Sequence, residues 1–265
     1  MVNFWEGKKV CVCGASGFVG THLCDQLAKL DLDILFTPKS SEYDLRYRDS
    51  VDCVFSQWYP VEFDVLINLA ANVGGIGYNQ NHPYSLFYDN IQIGVNLIHA
   101  AIQHKVKKFV QVGTVCAYPK FTPVPFDEKC LWDGYPEETN APYGIAKRVT
   151  LTQLQAARQE YGFNGIYVLP TNLYGVGDTF NPEQSHVIPA LIKKFCDAME
   201  VKQGDKPYDV EVWGSGDASR DFLYVTDAVE GLLLLAEKYD RPEPVNLGSG
   251  EEIRIGVLVN LISDI

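Results

Sequence analysis

The feature that most constrains the fold is GASGFVG, residues 14–20. It sits directly between the β-rich apolar run KVCVC and THLCDQLAKL, whose Leu23, Leu27 and Leu30 recur at helical spacing. Glycines at 14, 17 and 20 allow a tight turn, a close backbone approach to a pyrophosphate, and close helix packing. The helix beyond them begins with free N–H groups and a partial positive charge. Strand, glycine turn and helix in that order predict dinucleotide binding over a purely structural turn, although the spacing is GxxGxxG rather than GxGxxG.

The alternation continues along the chain. DILF (33–36), FDVLINLAA (63–71), KKFVQVGT (107–114) and IYVLP (166–170) read as strands, separated by helix-compatible stretches. Two long amphipathic helices are expected at 85–104 and 142–161, the second ended by Gly162. The pattern predicts an α/β fold, a Rossmann-type doubly wound parallel sheet. Residues 1–169 form the NAD(P)-binding part in this reading. Residues 170–265 form a smaller C-terminal substrate-binding region, interleaved with the last elements of the sheet and containing a Lys/Asp-rich loop between Phe195 and Val210. NLISDI ends the sequence without a glycine cap or a proline, so a further C-terminal segment is expected.

Charge narrows the partners. Twenty-two Lys and Arg against thirty-four Asp and Glu give a net charge of −12, which repels nucleic acid and anionic membrane over most of the surface. A polyanionic ligand therefore needs a local basic pocket. Seven cysteines without a CxxC pair indicate neither a disulfide framework nor a metal site, and those other than Cys116 read as core residues. Free thiols, the lack of any run near ~18 apolar residues and the lack of a leader pattern predict a soluble, cytoplasmic protein.

Three groups of residues carry chemistry. After the second strand, LFTPKSSEYDL places Thr37, Lys39, Ser40 and Ser41 before any acid, which suits a 2′-phosphate and favours NADP while leaving NAD open. Tyr143 and Lys147 stand at i and i+4 near the start of a long helix, so both project on one face. The ammonium, together with the cationic nicotinamide of an oxidised cofactor, is expected to lower the phenol's pKa toward working pH, and Thr114 at the end of a strand could hold a carbonyl under reduction. Cys116 follows at the carboxyl end of that strand, where ligands of such sheets bind, and His186 lies in SHVIPA. On their own, a small core cysteine and a structural histidine are the alternative readings of these two.

GASGFVG together with Thr114, Tyr143 and Lys147 resembles the extended short-chain dehydrogenase/reductase superfamily. Within it, AANVGGIGYNQ, VGTVCAYPK, EETNAPYGIAK, VLPTNLYGVGDTFNPEQSHVIPALIKKF and VEVWGSGDASRDFLYV are similar to the GDP-L-fucose synthase family, over nearly the whole chain. That resemblance implies NADPH-dependent 3,5-epimerisation and 4-reduction of GDP-4-keto-6-deoxy-D-mannose. It assigns catalysis to Thr114, Cys116, Tyr143, Lys147 and His186, with Cys116 and His186 as the epimerising pair. Cofactor contacts are implied at Gly14, Ala15, Ser16, Gly17, Phe18, Val19, Gly20, Lys39, Asp44 and Ala70. The remaining ones are Val112, Gly113, Thr114, Tyr143, Lys147, Pro170, Asn172, Leu173 and His186. Lys194, Trp213 and Arg220 fall where the family meets the GDP-sugar, Trp213 having core packing as its alternative, and a homodimer through the two long helices is implied. The chain departs from the family at Val115, where a second serine is usual, and at Ser16, where an arginine is usual. A reductase or epimerase for another deoxy-sugar or heptose nucleotide, and a non-catalytic NADP-binding regulator, are the competing readings.

Overall fold

Strand β1 (Lys9–Cys13) is buried almost throughout, as a central parallel strand flanked by helices must be. The structure is a computed structural model and describes residues 3–182, 184–200 and 209–265. From β1 the chain runs through α1 (Phe18–Leu27), β2 (Ile34–Phe36), α2 (Arg48–Ser56), β3 (Val65–Asn68), α3 (Ile76–Asn81) and α4 (Pro83–Gln103). Strand β4 (Lys108–Val112), a 3₁₀ turn (Val115–Ala117), α5 (Ala141–Tyr161) and β5 (Gly165–Pro170) follow. The remainder is β6 (Asn172–Tyr174), α6 (Val187–Glu200), β7 (Ser219–Tyr224), α7 (Val225–Lys238), β8 (Val245–Leu247), β9 (Glu252–Arg254) and α8 (Ile255–Ser263).

The large sheet has the order β2-β1-β3-β4-β5-β8, every neighbouring pair parallel. The order reverses between β1 and β3, and ligands of open α/β sheets bind in the crevice beyond the strand ends at such a point. Helices cover both faces. One apolar layer joins Phe109, Tyr167 and Leu66 to Leu97, Ile98, Leu151 and Leu154 from α4 and α5. The other joins Val10, Val12, Val110 and Val168 to Leu23, Leu27, Val229 and Leu232 from α1 and α7. The two long helices lie against each other, with Gly94 of α4 seated on the methyl of Thr150 so that any Cβ there would collide with it.

The expected α/β doubly wound architecture is the one observed, with shifts at element ends. The run at 63–71 is a strand only over Val65–Asn68, because the residues after Asn68 turn away to form the ligand edge. Helix α1 begins at Phe18, inside the glycine motif, rather than after it. Past Pro170 the chain leaves the large sheet and builds a second one, β6 parallel to β7 and β7 antiparallel to β9. It returns through α7 to place β8 at the edge beside β5. Of the Lys/Asp-rich loop read between Phe195 and Val210, residues 201–208 lie outside the described residues, and 196–200 belong to α6. Cys11 and Cys13 are core residues as expected, whereas Cys53 and Cys196 are exposed.

Phe109 fills the layer beneath α5 with no exposure. Phe109→Ala should cost about 3–5 kcal/mol, read as a lower urea midpoint at an unchanged m-value.

Candidate active site

The site is built where β1, β3 and β4 end. Gly14 adopts φ +83, open to glycine alone at little cost, and a Cβ there would lie 2.6 Å from the Ala70 amide nitrogen. A Cβ on Gly20 would overlap the Gly14 carbonyl oxygen. The turn is thus pressed against the end of β3 and against its own helix. Helix α1 then starts at Phe18 with no side chain capping it, its N-cap Gly17 being extended. A cradle that no side chain can fill, facing a bare helix N-terminus, fits the pyrophosphate of a dinucleotide. Ala15 and Val19 pack into the core beneath, Ser16 is exposed, and Phe18 meets the His22 ring edge-on at 5.9 Å. His22 Nε2 lies 2.7 Å from the Val176 carbonyl oxygen, tying α1 to the loop that follows β6.

At the end of β2, Lys39 is exposed. The Asp44 carboxylate is held by Arg46 at 2.7 Å, and hydrogen bonds from this guanidinium lower its pKa. Arg46 also reaches Asp89 at 3.4 Å, so this edge carries a second cation that the sequence reading did not single out.

The end of β4 carries the reactive groups. Thr114 is buried and caps the 3₁₀ turn, its hydroxyl accepting from the Cys116 amide at 3.1 Å. Helix α5 grips this turn from one face. The Cys116 carbonyl lies 2.5 Å from where a Gly144 Cβ would be, so that position must stay bare. Arg148 Nε donates to the Ala117 carbonyl at 2.7 Å and Nη1 to the Gly134 carbonyl at 3.0 Å. Lys147, only 4% exposed, donates to the Val112 carbonyl at 3.1 Å. Tyr143 lies one turn earlier with Lys147 Nζ 5.7 Å from its ring centre, and Gly113 faces the Tyr167 ring, where a Cβ has no room. Thr114, Tyr143 and Lys147 therefore lie buried together, with the half-buried Cys116 beside them.

Burial decides their protonation. It depresses Lys147 to about 8. It raises Tyr143 well above the ordinary phenol range, with Cys116 adding to the rise. Lys147 by itself does not bring the phenol down toward working pH, because desolvation of the phenolate dominates. Burial likewise pushes the Cys116 thiol up, against the Thr114 hydroxyl bond and the charge of Arg220, which lower it. A neutral phenol beside an ammonium is a proton donor at neutral pH.

The other predicted residues fall around this patch. His186 is exposed, immediately before α6, and its carbonyl accepts from the Ala190 amide at 3.0 Å. The segment before it is tied to the loop leaving β3: the Gly75 amide donates to the Gln184 carbonyl at 2.9 Å, and the Ser185 carbonyl occupies the space a Gly75 Cβ would need. Asp178, whose pKa burial raises, lies within the field of His186. Pro170 closes β5, and Asn172 and Leu173 pair with Phe222 and Leu223, Asn172 Nδ2 also donating to the Asp221 carbonyl at 2.9 Å. Arg220 is exposed on β7 and bears electrostatically on Cys116. Lys194 Nζ stands 4.8 Å from the Trp213 ring centre and donates to the Glu211 carbonyl at 2.8 Å. Trp213 is 78% exposed, so core packing is not its role. Arg148 and the polar cluster in which Asn79 donates to Asn140, and Asn140 to Glu137, escaped the sequence reading. Among the described residues no group of three His, Cys, Asp or Glu side chains could hold a metal ion, and no helix is long and apolar enough to cross a membrane.

Comparison with known proteins shows the family and the fold. The model of the NAD dependent epimerase/dehydratase family matches residues 10–248. The chain is 39% identical to GDP-L-fucose synthase 1 of Arabidopsis thaliana over 260 residues, covering 98% of this chain and 78% of that protein. It is 37% identical to GDP-L-fucose synthase of Sinorhizobium fredii over 257 residues, 97% of this chain and 79% of that one. The crystal structure of a GDP-L-fucose synthetase from Naegleria fowleri bound to NADP superposes with a TM-score of 0.84 at 28% identity, covering 98% of this chain and 78% of that chain.

Two outcomes follow from the site. Gly20→Ala should weaken NADPH binding by at least about tenfold in a fluorescence titration, since the new methyl forces the cradle open. Lys147 is depressed, so the unfolded chain holds a proton that the folded chain sheds between about pH 8 and 10.5. Stability conferred at this position therefore rises with pH across that window, by about 3 kcal/mol in full. The difference between wild type and Lys147→Met in urea unfolding at pH 7.5 and pH 10 should show that rise.

Proposed function

The chain belongs to the NAD dependent epimerase/dehydratase family, and from its site we propose that it converts GDP-4-keto-6-deoxy-D-mannose to GDP-L-fucose by 3,5-epimerisation and NADPH-dependent reduction at C4. The observation that carries this reading is the convergence of a half-buried thiol with a buried hydroxyl and phenol beside an ammonium that has no carboxylate partner among the described residues. A simple reductase needs the phenol and hydroxyl; a cysteine in the same patch adds a group able to exchange a carbon-bound proton.

A C4 ketone acidifies the protons on C3 and C5. Cys116 and His186 exchange those protons through an enediolate, one group removing and one returning each proton. Thr114 donates to the C4 oxygen. Bound NADPH supplies the hydride for C4. Tyr143 delivers the proton that turns the C4 oxygen into an alcohol, and its raised pKa keeps it in the donating form. Lys147, protonated for the most part at pH 7, stabilises negative charge as it develops on the phenol oxygen.

Gly14 through Gly20 hold the pyrophosphate. Lys39 would meet the ribose 2′-phosphate, which favours NADP, and Asp44 and Ala70 would be further cofactor contacts in the same reading. Lys194 and Arg220 meet the substrate diphosphate, supplying the basic pocket an acidic protein needs, and the exposed Trp213 face takes the base. Residues 1–169 are read as the cofactor half and 170–265 as the substrate half. The protein acts as a cytoplasmic homodimer in this reading. An exposed apolar groove where Tyr84 and Phe87 of α4 meet Tyr135, Pro142 and Ile145 supports pairing through α4 and α5.

Supplying GDP-4-keto-6-deoxy-D-mannose with NADPH in heavy water should yield GDP-L-fucose carrying deuterium at C3 and C5; cofactor oxidation without that label would leave a plain C4 reductase. Tyr143→Phe should lower reduction about 10²–10⁴-fold while NADPH still binds. Cys116→Ala should abolish deuterium uptake while NADPH still binds.

A further inference from the structure

Two fully buried polar side chains beneath the site have no part in the chemistry above. Asn68, the last residue of β3, and Gln111, in β4, are register partners in the parallel ladder and are 0% and 1% exposed. In a sheet covered on both faces such positions are ordinarily aliphatic, and a buried amide is costly unless its donors and acceptors are met.

Here they are met in one direction. The Ala70 amide donates to Asn68 Oδ1 at 3.0 Å, Asn68 Nδ2 donates to Gln111 Oε1 at 3.0 Å, and Gln111 Nε2 donates to the Val112 carbonyl at 2.9 Å. One end is a backbone N–H, which only donates; the other is a backbone carbonyl, which only accepts. Neither amide can be turned over without breaking this chain. The Val112 carbonyl at its terminus is the same oxygen that accepts from Lys147 Nζ at 3.1 Å. The turn that meets the cofactor cradle, at Ala70, is thus joined to the ammonium beside Tyr143 through two side chains.

We propose that Gln111, locked in orientation by Asn68, is a positioning residue for Lys147. This rests on the reading that Lys147 serves Tyr143. Gln111 occupies one lone pair of the Val112 oxygen and leaves the other to Lys147, which confines the ammonium to one approach. It also aims the positive end of an amide dipole at the oxygen the ammonium uses, and so disfavours the charged lysine. Around Lys147 stand Tyr143 and Arg148 on its own helix, Cys116 on the 3₁₀ turn with Glu137 and Arg220 in its field, and Tyr167 on β5 in the field of Tyr143. Lys147 makes no salt bridge among the described residues, so the shared carbonyl is the contact through which its proton affinity is tuned.

The test uses the full chain without cofactor or substrate. With lysine labelled at Cε by ¹³C, the Lys147 resonance, identified by its loss in Lys147→Met, is followed against pH. The wild-type midpoint is expected near 8. Gln111→Glu should raise the proton affinity of Lys147 more than tenfold, and Gln111→Leu should raise it by less in the same direction. If neither folds, Asn68→Ser keeps Gln111 but frees its amide, and should also raise the midpoint. A midpoint that stays in place in every folded variant, even with lowered stability, overturns the proposal and leaves the amide pair purely structural. Wild-type turnover with the 4-keto sugar nucleotide is measured separately, so a failed functional reading would appear there without touching the titration.

Discussion

The grip of α5 on the end of β4 is the constraint on which the site depends. One helical face carries Tyr143, Gly144, Lys147 and Arg148, and three of these four hold the backbone at 112–117. Lys147 takes the Val112 carbonyl, Arg148 the Ala117 carbonyl, and the bare Gly144 admits the Cys116 carbonyl. Thr114 and Cys116 are thereby fixed against the phenol by main-chain contacts. Among the described residues Arg148 Nη2 finds no acceptor, so the grip is held by a buried cation that they satisfy incompletely. Such a charge is costly, and it fits a site where order matters more than stability.

The electrostatics follow from the same burial. An acidic protein places a buried lysine beside its reactive groups and gives it a carbonyl rather than a carboxylate. The result is a region of positive potential in a dry environment, and such a region favours negative charge developing on a sugar oxygen. The cation also keeps its proton loosely, as the depression of Lys147 shows. Preorganisation and weak proton affinity both begin with the removal of water from the ammonium.

The large sheet was legible because its inner strands are short apolar runs bounded by turn signals, and because Gly14, Gly17 and Gly20 have steric reasons for their positions. That Thr114, Tyr143 and Lys147 come together was legible because their placement depends on the end of one strand and the spacing along one helix. The small sheet was not. Its strands β6 and β9 are three residues long and β9 is mostly exposed, so neither leaves a periodic signature. Asn68 and Gln111 stood in plain view as polar residues inside VLIN and KFVQV, yet their pairing needs the register of β3 against β4. The protonation of Tyr143 was misread for a related cause: spacing reveals a neighbouring charge but not the water both groups lose.

The edge position of β8 has a bearing on how the molecule assembles. Val168 pairs with Val245 across the whole excursion that builds β6, α6, β7 and α7, a contact of very long sequence separation. Closing so large a loop is entropically expensive and slow compared with the local β–α units before it. During synthesis the flank of β5 stays an open row of amides and carbonyls until the last third of the chain has emerged. Nascent chains are therefore most exposed to mispairing at that seam, where a chaperone would find its natural point of engagement.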